Sequence, residues 1–153
     1  MGFNIVLVEP EIPMNTGNIG RLSLASESTL HLVKPFGFQL DDKRLKRAGL
    51  DYWKYISVNI YESIEDFFFK NKEEKIVYFY SSANKNYTNI NFEDNMFFLF
   101  GKESVGLSKE ITEKNSDSLY KIPIYTNHVR SLNLANAVSI VVYEGLRNLK
   151  YYD

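Results

Sequence analysis

Cysteine is absent from the 153-residue chain, and only two histidines and one tryptophan are present. Without cysteine the protein has no disulfide bond, no cysteine-ligated zinc and no catalytic thiol. The two histidines, His31 and His128, are far apart in the sequence and lack the spacing of metal ligands. We therefore predict no metal site, and we expect His31, which lies in an apolar run, to be a strand residue.

Long apolar runs and an excess of one charge are also missing. No apolar run approaches the roughly 20 residues that cross a bilayer. The start, MGFNIVLVEPE, lacks the charged region and the cleavage-like site of a signal peptide. We therefore expect a cytoplasmic protein without a membrane partner. The formal net charge of −1 argues mildly against a nucleic-acid partner, unless positive charge is clustered locally.

Short strand-like runs alternate with helix-like ones along the whole chain. This alternation predicts an α/β fold, a mostly parallel sheet flanked by helices. We find no linker, repeat or low-complexity tract, so residues 1–153 are predicted to form a single domain. The predicted strands are 3–8, 30–33, 56–60, 75–80, 95–101 and 119–124, and the predicted helices are 17–28, 41–50, 62–70, 108–114 and 131–150.

The ends of the predicted strands locate the candidate site. In open α/β sheets, ligands bind beyond the carboxyl ends of the strands. Attention therefore falls on the segments that follow Val8, Tyr80, Phe100 and Ile124. The first of these contains NTGNIGR, a glycine-containing stretch that we expect to form a loop leading into the predicted helix 17–28.

Two common nucleotide-binding patterns do not fit these segments. A dinucleotide-binding fold needs G-x-G-x-x-G after the first strand and an acidic residue after the second. Here the first strand is followed by EPEIPMNTGNIG and the second by Lys34. The segment GKES has the lysine of a P-loop but not its upstream glycine or its final Ser/Thr. Both fold types are therefore disfavoured.

Three segments together form a more specific pattern. They are NTGNIGR, FGKESVGL, and IPI followed by RSLNLANA. In this order and spacing they resemble the three signature motifs of the SPOUT superfamily of RNA methyltransferases. The stretches EPEIPMNTGNIGR, DDKRLKRAGLDYW and SLNLANAVSIVVYE further resemble the single-domain subgroup that methylates the 2′-hydroxyl of the wobble cytidine or uridine in leucine tRNAs. The resemblance covers essentially the whole chain.

The resemblance carries expectations that periodicity does not provide. It implies an α/β fold with a C-terminal deep trefoil knot, although general rules make knots very improbable. It implies that the knot loops bind S-adenosylmethionine and that tRNA is the substrate. It also implies a homodimer in which both subunits shape each active site.

Two residues are the candidates for catalysis. Arg21 matches the family arginine for which activation of the 2′-hydroxyl is proposed. Because a guanidinium has a pKa above about 12, orienting the phosphate and stabilising the developing alkoxide is easier for it than acting as a base. Asn15 is expected to fix its loop and to contact the ribose. The alternatives are a turn or cap for Asn15, and for Arg21 a solvated position or an ion pair with Glu9, Glu11 or Glu27.

The cofactor-binding residues are predicted from the later motifs. Gly101 ends a strand, and its lack of a Cβ lets a ligand approach the backbone. Pro123 interrupts strand pairing and exposes backbone groups, although both residues also suit simple turns. Adenine needs apolar walls and a few hydrogen bonds. The predicted set is Tyr80, Gly101, Ile122, Ser131, Leu132 and Asn133.

Positive charge is densest in the segment KRLKR, which is predicted to bind phosphates of the RNA. A charged run on a helix is also commonly just a solvated face. Arg130 precedes the SLN motif and could reach RNA from either subunit, and Tyr143 suits either dimer packing or substrate contact. The predicted substrate-binding residues are Lys43, Arg44, Lys46, Arg130 and Tyr143.

Two other functions remain open on the sequence alone. The first is an RNA-binding protein that keeps the fold but lacks transfer activity; the intact motifs argue against it. The second is an unrelated nucleotide-binding α/β enzyme, such as a dehydrogenase, which the missing glycine motif disfavours.

Overall fold

The seven strands that the structure describes lie in one parallel sheet. The computed structural model describes residues 2–149, apart from the side chains of residues 49–51. The sheet order is β3-β2-β1-β6-β4-β7-β5, and each adjacent pair is parallel. The predicted α/β class is confirmed. The strands are β1 Asn4–Val8, β2 Thr29–Val33, β3 Val58–Tyr61, β4 Ile76–Phe79, β5 Lys85–Asn86, β6 Phe97–Phe100 and β7 Leu119–Lys121.

Five α-helices connect and cover the strands. They are α1 Pro13–Ala25, α2 Lys43–Gly49, α3 Ile64–Lys70, α4 Lys109–Lys114 and α5 Leu134–Leu149. Three short 3-10 helices, Leu50–Tyr55, Tyr87–Asn89 and Ser116–Ser118, and the two-residue strand β5 were not predicted. Elements this short carry too few residues for a periodic pattern to appear in the sequence.

The sheet has an apolar core on each face. Successive side chains of a strand point to opposite faces, and the buried residues of β1 accordingly divide between two clusters. Ile5 and Leu7 pack with α5 residues such as Val141, while Val6 packs with Phe67 of α3. The helices α5 and α3 therefore lie on opposite faces of the sheet, and the end of the sheet remains open for a site.

The stretch NTGNIGR lies entirely in helix α1, which confirms the predicted helix over residues 17–25, whereas the loop expected before it is wrong. The helix begins at Pro13, and Ile12 before it is extended at φ −106° and ψ 111°. Proline favours the first helical turn because its fixed φ suits a helix and its missing N–H would have no partner there. Gly20 does not break the helix. It is buried, and a Cβ in its place would lie 2.8 Å from Cζ3 of Trp53.

Two predicted boundaries near the C-terminus also shift. Helix α5 begins at Leu134 rather than at residue 131, because Asn133 acts as its cap and accepts a hydrogen bond from the Asn136 amide at 3.3 Å. Strand β7 ends at Lys121 rather than at residue 124, since Pro123 has no N–H to donate to a ladder. Both shifts leave residues 122–133 outside regular structure.

His31 is a buried strand residue, as predicted. Its Nε2 lies 2.8 Å from Oδ1 of Asn4 and its Nδ1 lies 2.9 Å from the hydroxyl of Tyr61. The Asn4 amide nitrogen donates to the Asn95 carbonyl, which directs the Asn4 oxygen toward His31. A neutral ring that donates from Nε2 and accepts at Nδ1 satisfies this arrangement, and burial lowers the pKa of His31 to about 4.

Acidification should therefore destabilise the protein through His31. Below pH 6.5 His31 of the unfolded chain binds a proton, whereas His31 of the folded protein does not bind it until about pH 4. The free energy of unfolding should fall by about 3 kcal/mol across this range. Urea unfolding of wild type and of His31→Phe at several pH values measures the effect. Identical pH dependence in the two proteins would contradict it.

Candidate functional site

A cavity of about 810 Å³ opens at the carboxyl ends of three neighbouring strands. Phe79 and Tyr80 line it from the end of β4, Phe100 and Gly101 from the end of β6, and Ile122 from beyond β7. This is the edge at which parallel sheets bind ligands. The volume lies within the range of small-molecule sites. The cavity is therefore the candidate site.

All six residues predicted to bind a cofactor line this cavity. Phe79 and Phe100 were not in the predicted set, but their stacked rings, 4.6 Å between centroids and 11° between planes, form an apolar wall. Phe79 and Phe100 could have been found in the sequence from their positions as the last residues of β4 and β6. The predicted residues that share the cavity are Tyr80, Gly101, Ile122, Ser131, Leu132 and Asn133.

Asn15 and Asn133 join the first motif to the third inside the cavity. Asn15 is only 5% exposed. Its Oδ1 accepts a hydrogen bond from Nδ2 of Asn133 at 3.1 Å, across 118 residues of chain. The orientation of the Asn133 amide is fixed, because its oxygen already caps α5. Asn15 is thus a helix residue with a side chain held at the ligand cavity.

The second motif forms a tight turn at the cavity wall. The amide of Gly106 donates to the carbonyl of Lys102 at 2.8 Å. A Cβ on Gly101 would lie 2.2 Å from the carbonyl carbon of Gly106 and 2.3 Å from the nitrogen of Leu107. Real Cβ atoms do not approach backbone this closely, so the turn requires glycine. Gly101 is therefore both required by the turn and part of the cavity wall.

Two carboxylates fasten this turn to the start of α1. Glu103 accepts hydrogen bonds from the amides of Glu11 at 2.8 Å and Ile12 at 3.1 Å. Glu11 in return accepts from the amide and the hydroxyl of Ser104 at 2.9 and 2.7 Å, and these bonds lower the pKa of the Glu11 carboxyl. Sequence reasoning missed this reciprocal pair, because nothing local links residues so far apart. It ties the cavity wall to the helix that carries Asn15 and Arg21.

Arg21 does not line the cavity of its own chain. It is exposed on α1, and its guanidinium carbon lies 5.3 Å from the ring centroid of Tyr52. None of the three glutamates considered as partners forms an ion pair with it within residues 2–149. It lies six positions after Asn15 in the helix, and this separation corresponds to about 9 Å along the helix axis. One chain therefore does not bring the two predicted catalytic residues together.

The predicted substrate-binding residues lie in three places: helix α2, the cavity rim and helix α5. The basic side chains of α2 are exposed around the buried anchor Leu45, and α2 packs against α1. Arg44 forms two hydrogen bonds to Asp42, at 3.1 and 3.2 Å, which lower the pKa of that carboxyl. Arg130 is exposed at the cavity rim, and Tyr143 is 49% exposed on α5.

Residues 2–149 contain no group of three or more His, Asp or Glu side chains arranged to hold a metal ion. No helix in the same part of the chain is long and apolar enough to cross a membrane.

Comparison with known proteins gives consistent matches over most of the chain. The model of the SpoU rRNA Methylase family matches residues 2–143. The chain is 42% identical to the tRNA (cytidine(34)-2′-O)-methyltransferase of Saccharophagus degradans, with 97% of each chain covered. It is 40% identical to the enzyme of the same name from Methylovorus glucosotrophus, covering 95% of this chain and 94% of that one. A solved structure concerned with the 2-OH methylation of C/U34 on tRNA superposes with a TM-score of 0.92 at 37% identity, covering 97% of both chains.

Proposed function

The chain belongs to the SpoU rRNA methylase family, and we propose that it transfers a methyl group from S-adenosylmethionine to the 2′-hydroxyl of the wobble cytidine or uridine in a tRNA anticodon loop. The observation that carries the proposal is the meeting of three sequence motifs at one cavity. Asn15 of the first is bonded to Asn133 of the third, beside the Gly101 turn of the second. The activity in the names of the two relatives supports it.

The residues of the cavity fit the proposed methyl donor. Phe79, Phe100 and Ile122 offer apolar walls for adenine, and Ser131 and Asn133 offer polar groups at the edge. Within the described residues, no hydrogen-bond partner is found for the amide nitrogen of Asn15, which leaves it for a ligand. When bound, S-adenosylmethionine supplies a methyl group activated on a sulfonium.

Arg21 is assigned the electrostatic part of the reaction. The ribose oxygen must lie in line with the methyl group and must lose its proton. A guanidinium that stays charged orients the adjoining phosphate and stabilises the developing negative charge on the oxygen. We do not assign it the role of base.

We further propose that the protein acts as a homodimer. Arg21 does not line the cavity of its own chain, so a second copy is needed to bring an arginine to each cavity. Helix α5 leaves Ile140 and Tyr143 38% and 49% exposed, beside the fully buried Val141 and Val142. Apolar side chains exposed together are typical of an interface. A C-terminal trefoil knot, a cytoplasmic location and preference for leucine tRNAs complete the proposal and rest on the family resemblance.

The lysines of α2 are proposed to bind tRNA phosphates. Lys43 and Lys46 are exposed, and no carboxylate within residues 2–149 forms an ion pair with either. The double change Lys43→Ala and Lys46→Ala should raise the KM for tRNA. In a plot of the logarithm of the tRNA association constant against the logarithm of the salt concentration, the slope should become shallower by about 2, because each phosphate contact contributes roughly 1. Filter binding from 50 to 200 mM salt measures this. Lys72→Ala, on an exposed turn after α3, is the matched control; an equal effect there would contradict the assignment.

Methyl transfer itself tests the function. Purified protein is incubated with methyl-labelled S-adenosylmethionine and bulk tRNA, and the product is digested to nucleosides. The proposal predicts label in 2′-O-methylcytidine or 2′-O-methyluridine. Cofactor binding without transfer to any tRNA would favour an RNA-binding protein that lacks the activity.

A further inference from the structure

Arg21 is held by a short helix that none of the three motifs contains. The 3-10 helix Leu50–Tyr55 lies against α1, and its Tyr52 ring carries the Arg21 guanidinium at 5.3 Å. This distance lies within the roughly 6 Å of a cation–π contact. Among residues 2–149, Tyr52 is the residue whose ring contacts the guanidinium of the exposed Arg21 side chain.

The position of Tyr52 is set by the residues next to it. Trp53 packs against the core and its ring edge touches α1 at Gly20. A Cβ at Gly20 would lie 2.8 Å from Cζ3 of Trp53 and 2.9 Å from Cδ1 of Ile56. The absent side chain of Gly20 therefore admits the 3-10 helix, and the docked Trp53 places Tyr52 beside the residue that follows Gly20.

On the premise of the proposed function, we infer that Tyr52 is a positioning residue for methyl transfer. It holds the Arg21 guanidinium in one direction before the RNA arrives, so that less side-chain freedom is lost in the transition state. Arginine is suited to this because its planar cation stacks on an aromatic face while its N–H groups stay free for phosphate. Tyr52 touches neither the methyl donor nor the reacting oxygen in this scheme.

The test separates this role from base stacking and from folding. Tyr52→Leu should lower kcat about fivefold, the factor expected for losing a cation–π contact near the surface. The KM values for S-adenosylmethionine and tRNA should not change, and Tyr52→Phe, which keeps a ring, should retain most of the rate. Tyr55→Leu is the matched control, because Tyr55 lies on the same 3-10 helix, is 65% exposed and contacts Lys54 instead.

A double-mutant cycle adds a second criterion. If Tyr52 acts through Arg21, Tyr52→Leu should have no further effect in an Arg21→Ala background. The inference would be overturned if Tyr52→Leu left kcat unchanged or if Tyr55→Leu lowered kcat equally. It would also be overturned if Tyr52→Leu raised only the KM for tRNA. The last result would make Tyr52 a stacking surface for a base.

A readout without activity keeps this inference separate from the proposed function. In the NMR spectrum of the wild type, ring current from Tyr52 should shift the side-chain protons of Arg21 upfield. Tyr52→Leu should remove that shift and Tyr55→Leu should not. If wild type transfers no methyl group, the proposed function fails, and the NMR result alone still decides whether Tyr52 positions Arg21.

Discussion

Replacing Arg21 with alanine should lower kcat for methyl transfer by about 10²- to 10³-fold, the usual cost of removing one electrostatic stabiliser from a transition state. The affinity for S-adenosylmethionine should not change, because Arg21 is assigned to the phosphate and the reacting oxygen of the RNA and not to the methyl donor. Thermal stability should also be retained, since the side chain is exposed. Single-turnover kinetics measure the rate of methyl transfer, and calorimetric titration measures the affinity for the cofactor.

Arg21→Lys is the informative companion variant. Lysine keeps the charge but loses the planar, forked donors that bind phosphate oxygens, so it should recover only part of the rate. Full activity of Arg21→Ala would remove Arg21 from the mechanism while leaving the enzyme class intact. Full activity of Arg21→Lys alone would mean that charge is sufficient and orientation is not required.

Gly101→Ala should abolish binding of the methyl donor. The new Cβ would lie 2.2 Å from the backbone of Gly106, so the turn at the cavity wall must open. The cofactor-binding face would then be displaced, and no methyl transfer is expected. Calorimetric titration with S-adenosylmethionine measures the loss; wild-type affinity would contradict the role of this turn.

Mixing the two inactive variants tests how the subunits share the site. When equal amounts of the two variants pair at random, half of the dimers contain one chain of each variant. Each such molecule has one site with an intact cavity from Arg21→Ala and an intact arginine from Gly101→Ala. About one quarter of wild-type activity should return. No return would mean that Arg21 serves its own cavity or that Gly101→Ala does not assemble, and size-exclusion chromatography of the mixture distinguishes these.

The sequence predicted the fold class because the apolar pattern is repeated at six of the seven described strands, all except the two-residue β5. The alternating apolar runs gave an α/β fold, and the ends of β4 and β6 led to Tyr80 and Gly101 at the cavity. The loop expected at NTGNIGR was wrong because its glycines indicate a loop locally, whereas Pro13 and the packing of Trp53 on Gly20 favour a helix that begins before the predicted one. Tertiary contacts decided the conformation against local propensity.

Contacts between distant segments could not be predicted in the same way. The hydrogen bonds that join Glu11 and Glu103 span more than 90 residues, and nothing in either local pattern requires them. The contact of Arg21 with Tyr52 likewise depends on how a 3-10 helix packs against α1. The sequence predicted Arg21 as a catalytic residue, and only the structure shows that the ring of Tyr52 lies beside its guanidinium.

Removing a single oxygen atom from the substrate tests the proposed 2′-O-methylation most directly. Two anticodon stem-loops of a leucine tRNA are prepared, one with a ribose at the wobble position and one with a 2′-deoxyribose there. We expect methyl transfer from S-adenosylmethionine to the first and none to the second. Equal transfer to both would show that the methyl group goes to another position, and 2′-O-methylation of the wobble nucleotide would be wrong.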